Sequence, residues 1–295
     1  MSSPLFVGLA TALVTPFTDE GVNFDTLARM VDMQKKAGAA AVVVCGTTGE
    51  AATMSQQEKN DVLTLAVREA AGSMKVIAGI GGNNTLAAAE AAHEAERRGA
   101  DALMLSTPYY NKANKQGIVA HFSYVADRCS VPLILYNVPG RTVVQCTEEI
   151  YGQLADHPRI CGIKEASGDL ALASQTMNHY GEKLTLWSGN DDQTLPLMAL
   201  GAKGVISVAS NIIPKEMAAL CQFCLKDEWD KARILHRKYE HLFSALFSDI
   251  NPIPVKTAMN WMGLNAGPLR LPLCAMEHQK AEMLRHCLKE SSLLA

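Results

Sequence analysis

The sequence predicts a (β/α)8 TIM barrel with a C-terminal helical extension. The first ground is a run of eight short apolar segments, each followed by Gly, Thr, Ser, Asn or Pro and then by a helical pattern. The second is what is missing: a doubly wound open sheet rarely needs eight such regular units, and no G-x-G-x-x-G follows the first segment, as a dinucleotide-binding version would favour. The third is a change of pattern beyond residue 225, where only helical periodicity remains. The expected organisation is a barrel over residues 1–225 and a helical extension over 226–295, packed on the barrel.

In chain order the apolar runs are LFVGLATALV (5–14), AAVVVC (40–45), KVIAGI (75–80) and DALMLS (101–106), then PLILYN (132–137), ICGIKE (160–165), KLTLWS (183–188) and KGVISV (203–208). Several are rich in Val and Ile with little polar alternation, as expected of parallel strands covered on both faces. The segments between them carry helix caps. Ser55 and Glu58 form a capping box, in which the hydroxyl and the carboxylate each satisfy an end amide. Thr85 precedes an Ala-rich stretch that stops at Gly99, and Thr147 opens a helix with two glutamates at the positive end of its dipole. The extension reads as helices over 228–247, 253–262 and 275–290, separated by NPIP (251–254) and by GLNAGPLRLP.

Composition excludes several function classes. Hydrophobic residues make up 48% and charged residues 19%, ordinary values for a globular chain with a large core. A net charge of −3 provides no broad positive field for nucleic acid. No apolar stretch approaches the roughly 20 residues needed to span a bilayer, and MSSPLFVGLATALV lacks the basic start of a signal peptide. The eight cysteines fall mostly in apolar patterns, as buried thiols do in a reducing compartment, so a cytoplasmic location is expected. Cys221 and Cys224 form a C-x-x-C within an amphipathic helix, with no second ligand pair at zinc spacing; core packing is the reading adopted.

Chemistry in a (β/α)8 barrel sits at the C-terminal ends of the strands. Those ends carry GTTGE (46–50), GGNN (81–84), TPYYNK (107–112), YNVPGR (136–141), KEASGD (164–169), SGNDD (188–192) and SVASN (207–211). Lys75, Lys183 and Lys203 start their runs and so enter from the opposite end, and Lys112 lies in a polar loop. Of the lysines touching a strand, only Lys164 ends an apolar run on the catalytic side. Desolvation there lowers a lysine pKa and frees an amine that can attack a ketone. An ion pair, or phosphate binding, is the competing role for Lys164. Glu165 is a poor partner, because adjacent strand residues point to opposite faces. Thr47, Thr48, Tyr109, Tyr110 and Tyr136 are rim hydroxyls able to relay protons, or else turn and core residues with wet tips. Arg141 is a planar cation suited to a carboxylate, or a solvated loop residue. No metal-ligating cluster appears at the strand ends, and His121, His157 and His179 fall in or beside helices.

GTTGE, TPYYNK, YNVPGRT (136–142), GIKEASGD (162–169) and GVISV (204–208) stand in an order and spacing that resemble the dihydrodipicolinate synthase family. This is a family of pyruvate-dependent class I aldolase type, related to N-acetylneuraminate lyase. The resemblance runs from LVTPF (13–17) through NPIPVK (251–256) to LRLP (269–272). It implies condensation of pyruvate with L-aspartate 4-semialdehyde in the diaminopimelate route to lysine, without metal or organic cofactor. By resemblance Lys164 forms the imine with pyruvate, Tyr136 shuttles its protons, and Thr47 links two tyrosines in a relay. Tyr110 matches a tyrosine that reaches in from a neighbouring subunit, which implies a homo-oligomer, a dimer of dimers in the family. Thr48 matches a contact to the pyruvate carboxylate, and Arg141 the arginine that binds the carboxylate of the aldehyde. Gly189 and Ile206 match positions lining the pyruvate pocket, Ile206 through its carbonyl.

Two other readings accompany this one: aldol cleavage of a 2-keto-3-deoxy sugar acid or sialic acid, and a non-catalytic keto-acid-binding barrel. Arg141 favours the synthase, since the sialic-acid lyases tend to lack an arginine there, and a mere binder would not need the relay. A lysine-binding regulatory pocket of the family matches Ala52, Gln56, Asn83, Ala87 and Tyr109 here. Asn83 and Tyr109 keep the pattern, but Gln56 and Ala87 replace a histidine and a glutamate. Without the carboxylate at 87 the inhibitor's ammonium loses a partner, so weak or absent lysine feedback is expected.

Overall fold

A computed structural model of the chain describes residues 3–294. All eight apolar runs form strands of one closed parallel barrel: β1 (Gly8–Ala12), β2 (Ala41–Val44), β3 (Lys75–Gly79), β4 (Ala102–Ser106), β5 (Leu133–Asn137), β6 (Ile160–Glu165), β7 (Thr185–Ser188) and β8 (Gly204–Ser207). Each strand pairs with its neighbours in sequence, and β1 closes on β8 with Ala10 opposite Ile206. A hairpin of Phe17–Thr18 with Gly21–Val22 lies outside the barrel. The runs were longer than the strands because apolar residues continue into the rim, as Leu13 and Val14 do.

The period-2 alternation of a strand divides the core in two. Ala41 and Val43 of β2 pack inside the barrel, while Val42 and Val44 face the helices. Small residues inside, such as Ala10, Ala41 and Ala102, leave room for Tyr136 and Trp187. The Trp187 indole stacks on Phe6 with centroids 4.6 Å apart and donates from Nε1 to the Phe6 carbonyl, filling the interior beside β6.

The capping box at Ser55 and Glu58 is present. The third interstrand helix (Thr85–Arg97) is capped differently from the expectation: Asn84 accepts from the amides of Leu86 and Ala87, and Thr85 is the first helical residue. Asparagine reaches both amides from an extended backbone, whereas the Thr85 hydroxyl is paired with His121 Nδ1 at 2.9 Å. Thr147 stands at the N-cap position of the helix Glu148–Leu154 without a side-chain bond to it.

Helices Trp229–Ala245, Ile253–Trp261 and His278–Glu290 make up the extension. Its deepest tie to the barrel is an ion pair between Lys256 and Glu50, both fully buried, with Nζ 2.6 Å from Oε1. Lys256 also donates to the Pro268 carbonyl, and Glu50 accepts from the Arg270 amide. Arg270 in turn grips Glu58. Both carboxylates come from residues 50–58 and both cations from 256–270, so the rim after β2 and the extension are fastened together.

Replacing Lys256 by Met leaves Glu50 buried without its charge partner. The expected loss is about 3–5 kcal/mol in denaturant unfolding, with at least half regained in the K256M/E50Q double variant. A single variant within about 1 kcal/mol of the parent would show that the pair is energetically idle.

Candidate active site

The site is built from the upper ends of β5, β6 and β7. Parallel register sets Tyr136 of β5 and Trp187 of β7 beside Lys164 of β6, all three facing the barrel interior. Lys164 is 5% exposed, and its Nζ lies 4.3 Å from the centroid of the Tyr136 ring. Among the described residues no carboxylate forms an ion pair with it. Desolvation therefore dominates and pushes the lysine down to about 8, against the attraction of Asp191 and with help from the Arg141 charge. A tenth of such a group is a neutral amine at pH 7, roughly two hundredfold more than for a lysine in water, given its ordinary value near 10.4.

Glu165 faces the other way. Its carboxylate accepts from Asn137 Nδ2 at 3.0 and 3.1 Å, from the Tyr151 hydroxyl at 3.1 Å and from the Ser167 amide at 2.8 Å. Asn137 Oδ1 accepts from the Cys146 amide. The glutamate thus ties the ends of β5 and β6 to the helix behind them and leaves Lys164 unneutralised.

Around the amine, Tyr136 is 8% exposed. Burial pushes its phenol up, opposed by the Arg141 charge and a hydrogen bond with Thr47. Thr48 is buried, and its hydroxyl accepts from Asn251 Nδ2 at 3.0 Å. Arg141 lies in the short helix Pro139–Thr142 after β5 and donates from Nη2 to the Asn251 carbonyl at 2.8 Å. Ile206 of β8 is fully buried inside the barrel. Asp191 is buried too; Oδ2 accepts from the amides of Val208 and Ala209, fixing the turn after β8, while Oδ1 has no partner. Burial pushes its carboxyl up against those hydrogen bonds.

A desolvated lysine against a tyrosine ring, with Thr47 bonded to that phenol and the Arg141 charge acting on the amine, is equipped to make an imine with a small keto acid. The comparisons with known proteins agree with that chemistry. The model of the dihydrodipicolinate synthetase family matches residues 5–291. The chain belongs to this family. It is 45% identical to 4-hydroxy-tetrahydrodipicolinate synthase of Thermoanaerobacter sp. (strain X514), over 99% of this chain and 98% of that one. It is 44% identical to the synthase of Clostridium perfringens (strain 13 / Type A), over 98% of this chain and 100% of that one. Among solved structures, chloride-inhibited dihydrodipicolinate synthase from Acinetobacter baumannii complexed with pyruvate superposes with a TM-score of 0.95 at 39% identity, covering 98% of this chain and 99% of that one.

In this member of the dihydrodipicolinate synthetase family a cavity of about 750 Å³ opens at the rim and reaches Tyr136, the neighbour of Lys164. It is lined by Thr47, Tyr136 and Arg141 and also by Ala52, Gln56, Asn83, Ala87 and Tyr109. The positions matched to a regulatory pocket thus share one space with Thr47, Tyr136 and Arg141. Tyr110 is not brought in: it is 89% exposed, on left-handed backbone at φ 70°. Among the described residues no cluster of three His, Cys, Asp or Glu side chains could hold a metal ion, and no helix is long and apolar enough to cross a membrane.

Sequence reasoning did not single out Asn251 or Lys256. Both stand in NPIPVK (251–256), where Pro252 and Pro254 read as a break between helices. The available signal was a lysine in an otherwise apolar helical stretch, IPVKTAM.

Gly189 is held to glycine by close approach. Its amide donates to the Glu165 carbonyl at 2.7 Å, and an added Cβ would fall 2.6 Å from the Ala166 Cβ. Gly189→Ala must push β6 and β7 apart beside Lys164. A destabilisation of about 1–3 kcal/mol is expected, with a larger proportional loss of turnover than of thermal stability. Wild-type turnover would show that this spacing does not matter.

Proposed function

We propose that the chain condenses pyruvate with L-aspartate 4-semialdehyde to give 4-hydroxy-tetrahydrodipicolinate, with Lys164 as the imine-forming residue. The observation that carries the reading is the unpaired, desolvated Lys164 beside Tyr136, in a chain whose relatives of this name match it from end to end. The enzyme is a lyase of class I aldolase type. Cleavage of a sugar acid or sialic acid, and a binder without activity, find no support in those relatives.

In the proposed sequence the neutral Lys164 amine adds to the ketone carbon of pyruvate. The carbinolamine loses water, and Tyr136 supplies and removes the protons in both steps. Loss of a methyl proton converts the imine to an enamine, whose carbon attacks the aldehyde. The aldehyde oxygen becomes the 4-hydroxyl. The amino group of the second substrate then displaces Lys164 from the imine carbon, closing the ring and restoring the free lysine. One water leaves per turnover. Thr48 contacts the pyruvate carboxylate, and Gly189 and the Ile206 carbonyl line its pocket. Arg141 holds the carboxylate of the aldehyde by a bidentate fork. Thr47 connects Tyr136 to Tyr110 of a neighbouring copy. The exposure of Tyr110 suits that role, and with it a homo-oligomer, a dimer of dimers. We place the enzyme in the cytoplasm, with residues 1–225 as the catalytic barrel and 226–295 as an extension that belongs to the same unit.

Borohydride reduction in the presence of pyruvate, followed by mass spectrometry, tests the imine. A pyruvyl adduct on Lys164, absent from Lys164→Ala, is expected; no adduct on the wild type overturns the reading. Consumption of aspartate semialdehyde against N-acetylneuraminate then fixes the second substrate.

Because a lowered lysine pKa makes the reactive amine more abundant as pH rises, adduct formation increases several-tenfold from about pH 6 and levels off above about pH 8. A rate still climbing steeply at about pH 9.5 would mean that the amine is not desolvated as described.

The cavity has Ala87 where a lysine ligand would need a carboxylate. Added lysine in the low-millimolar range is expected to leave the initial rate unchanged. Clear inhibition would refute that.

A further inference from the structure

We propose that Asn251 is a positioning residue for the condensation, orienting Thr48 and Arg141 from the C-terminal segment. The inference rests on the reading of those two residues as carboxylate-binding groups.

Asn251 lies between helices Trp229–Ala245 and Ile253–Trp261, far in sequence from the rim loops it touches, and it lines the cavity. It makes two contacts with different parts of itself. The side-chain amide donates from Nδ2 to Thr48 Oγ1 at 3.0 Å, and the main-chain carbonyl accepts from Arg141 Nη2 at 2.8 Å. Its own amide oxygen is buried without a partner. A residue retained for packing alone would avoid that unpaired acceptor, so the amide serves through its N–H side.

The direction of each bond decides what remains for a ligand. A threonine hydroxyl has one proton and two lone pairs. With one lone pair taken by Asn251, the Thr48 proton is free to be donated to a carboxylate oxygen instead of turning toward the protein. Arg141 gives one of its five N–H groups to Asn251, which stops the fork from rotating and leaves the others for the second carboxylate. The segment that carries Asn251 is itself held by the Lys256–Glu50 pair, and Glu50 lies two residues beyond Thr48. One anchored asparagine therefore couples the two carboxylate sites.

Asparagine and aspartate are alike in shape but opposite here. An aspartate would draw the Thr48 proton toward itself and set a negative charge beside both carboxylate sites. Steady-state kinetics of the full chain with Asn251→Ala, Asn251→Asp, Thr48→Val and the N251A/T48V double variant read this out. The expected result is a pyruvate KM raised roughly tenfold in N251A, the factor for one net hydrogen bond, and raised further in N251D, with kcat altered less than KM. In the T48V background N251A adds less than about twofold, because the two act as one unit.

Pyruvate KM values within about twofold of wild type in both Asn251 variants, or an undiminished effect of N251A in T48V, overturn the proposal. A fall in melting temperature with unmoved KM marks a packing role and does the same. If N251A does not fold, the isosteric N251D carries the test alone. Borohydride trapping of pyruvate on wild-type Lys164 separates the levels. An untrapped wild type overturns the site reading and this inference together, whereas a trapped wild type with unmoved KM values overturns only this inference.

Discussion

The burial of one unpaired ammonium inside a closed barrel is the constraint on which the site depends. Bringing Lys164 from the ordinary lysine range down to about 8 corresponds to roughly 3 kcal/mol against its charged form. The fold carries that cost because the period of a strand is two. Lys164 turns inward and Glu165 outward, and the carboxylate next in sequence is kept from the amine it would otherwise neutralise. Glu165 is then saturated by Asn137, Tyr151 and the Ser167 amide, so it has no reason to swing back.

A second buried lysine shows the opposite solution. Lys256 sits 2.6 Å from Glu50 and beside the Phe17 ring, with its centroid 4.2 Å away. Burial pushes its pKa down while Glu50 pulls it up. Its Nζ donates to the Glu50 carboxylate and to the Pro268 carbonyl. Depth of burial alone does not make a lysine nucleophilic; the absence of a bonded carboxylate does. Buried pairs of this sort are weak evidence for stability but hold parts in a fixed relation. Here the parts are the rim loop after β2 and the helical extension.

The fold was legible because each strand-helix unit repeats the same local signals: an apolar run, a turn cluster, an amphipathic segment. The position of Lys164 was legible for a related reason, since the strand count alone puts it at the C-terminal end of β6. The capping of the third helix was misread because Asn84 and Thr85 are both good caps, and only the pairing of Thr85 with His121, from another helix, decides between them. Asn251 was not legible at all. Its meaning lies in bonds to Thr48 and Arg141 across 203 and 110 residues of sequence. Nothing local to NPIP announces a contact with the loops after β2 and β5. Contacts of that range are set by tertiary packing, which a single sequence does not encode in any periodicity.

The same long-range contacts explain how the rim after β2 keeps its shape. Cys45 and Glu50 both adopt left-handed backbone, at φ 55° and 53°, which L-residues enter at a cost of roughly 1 kcal/mol or more each. Thr47 and Thr48 lie between them, so the two hydroxyls point where these strained ends direct them. A free loop would relax. Glu50 cannot, because one carboxylate oxygen is bound by Lys256 and the other by the Arg270 amide. The extension therefore does more than cover helices. By holding Glu50 it fixes the backbone on which Thr47 and Thr48 stand, and by presenting Asn251 it fixes the direction of the Thr48 proton. Without the contacts of Lys256, Arg270 and Asn251, the rim after β2 would lose what holds Glu50 and Thr48 in place.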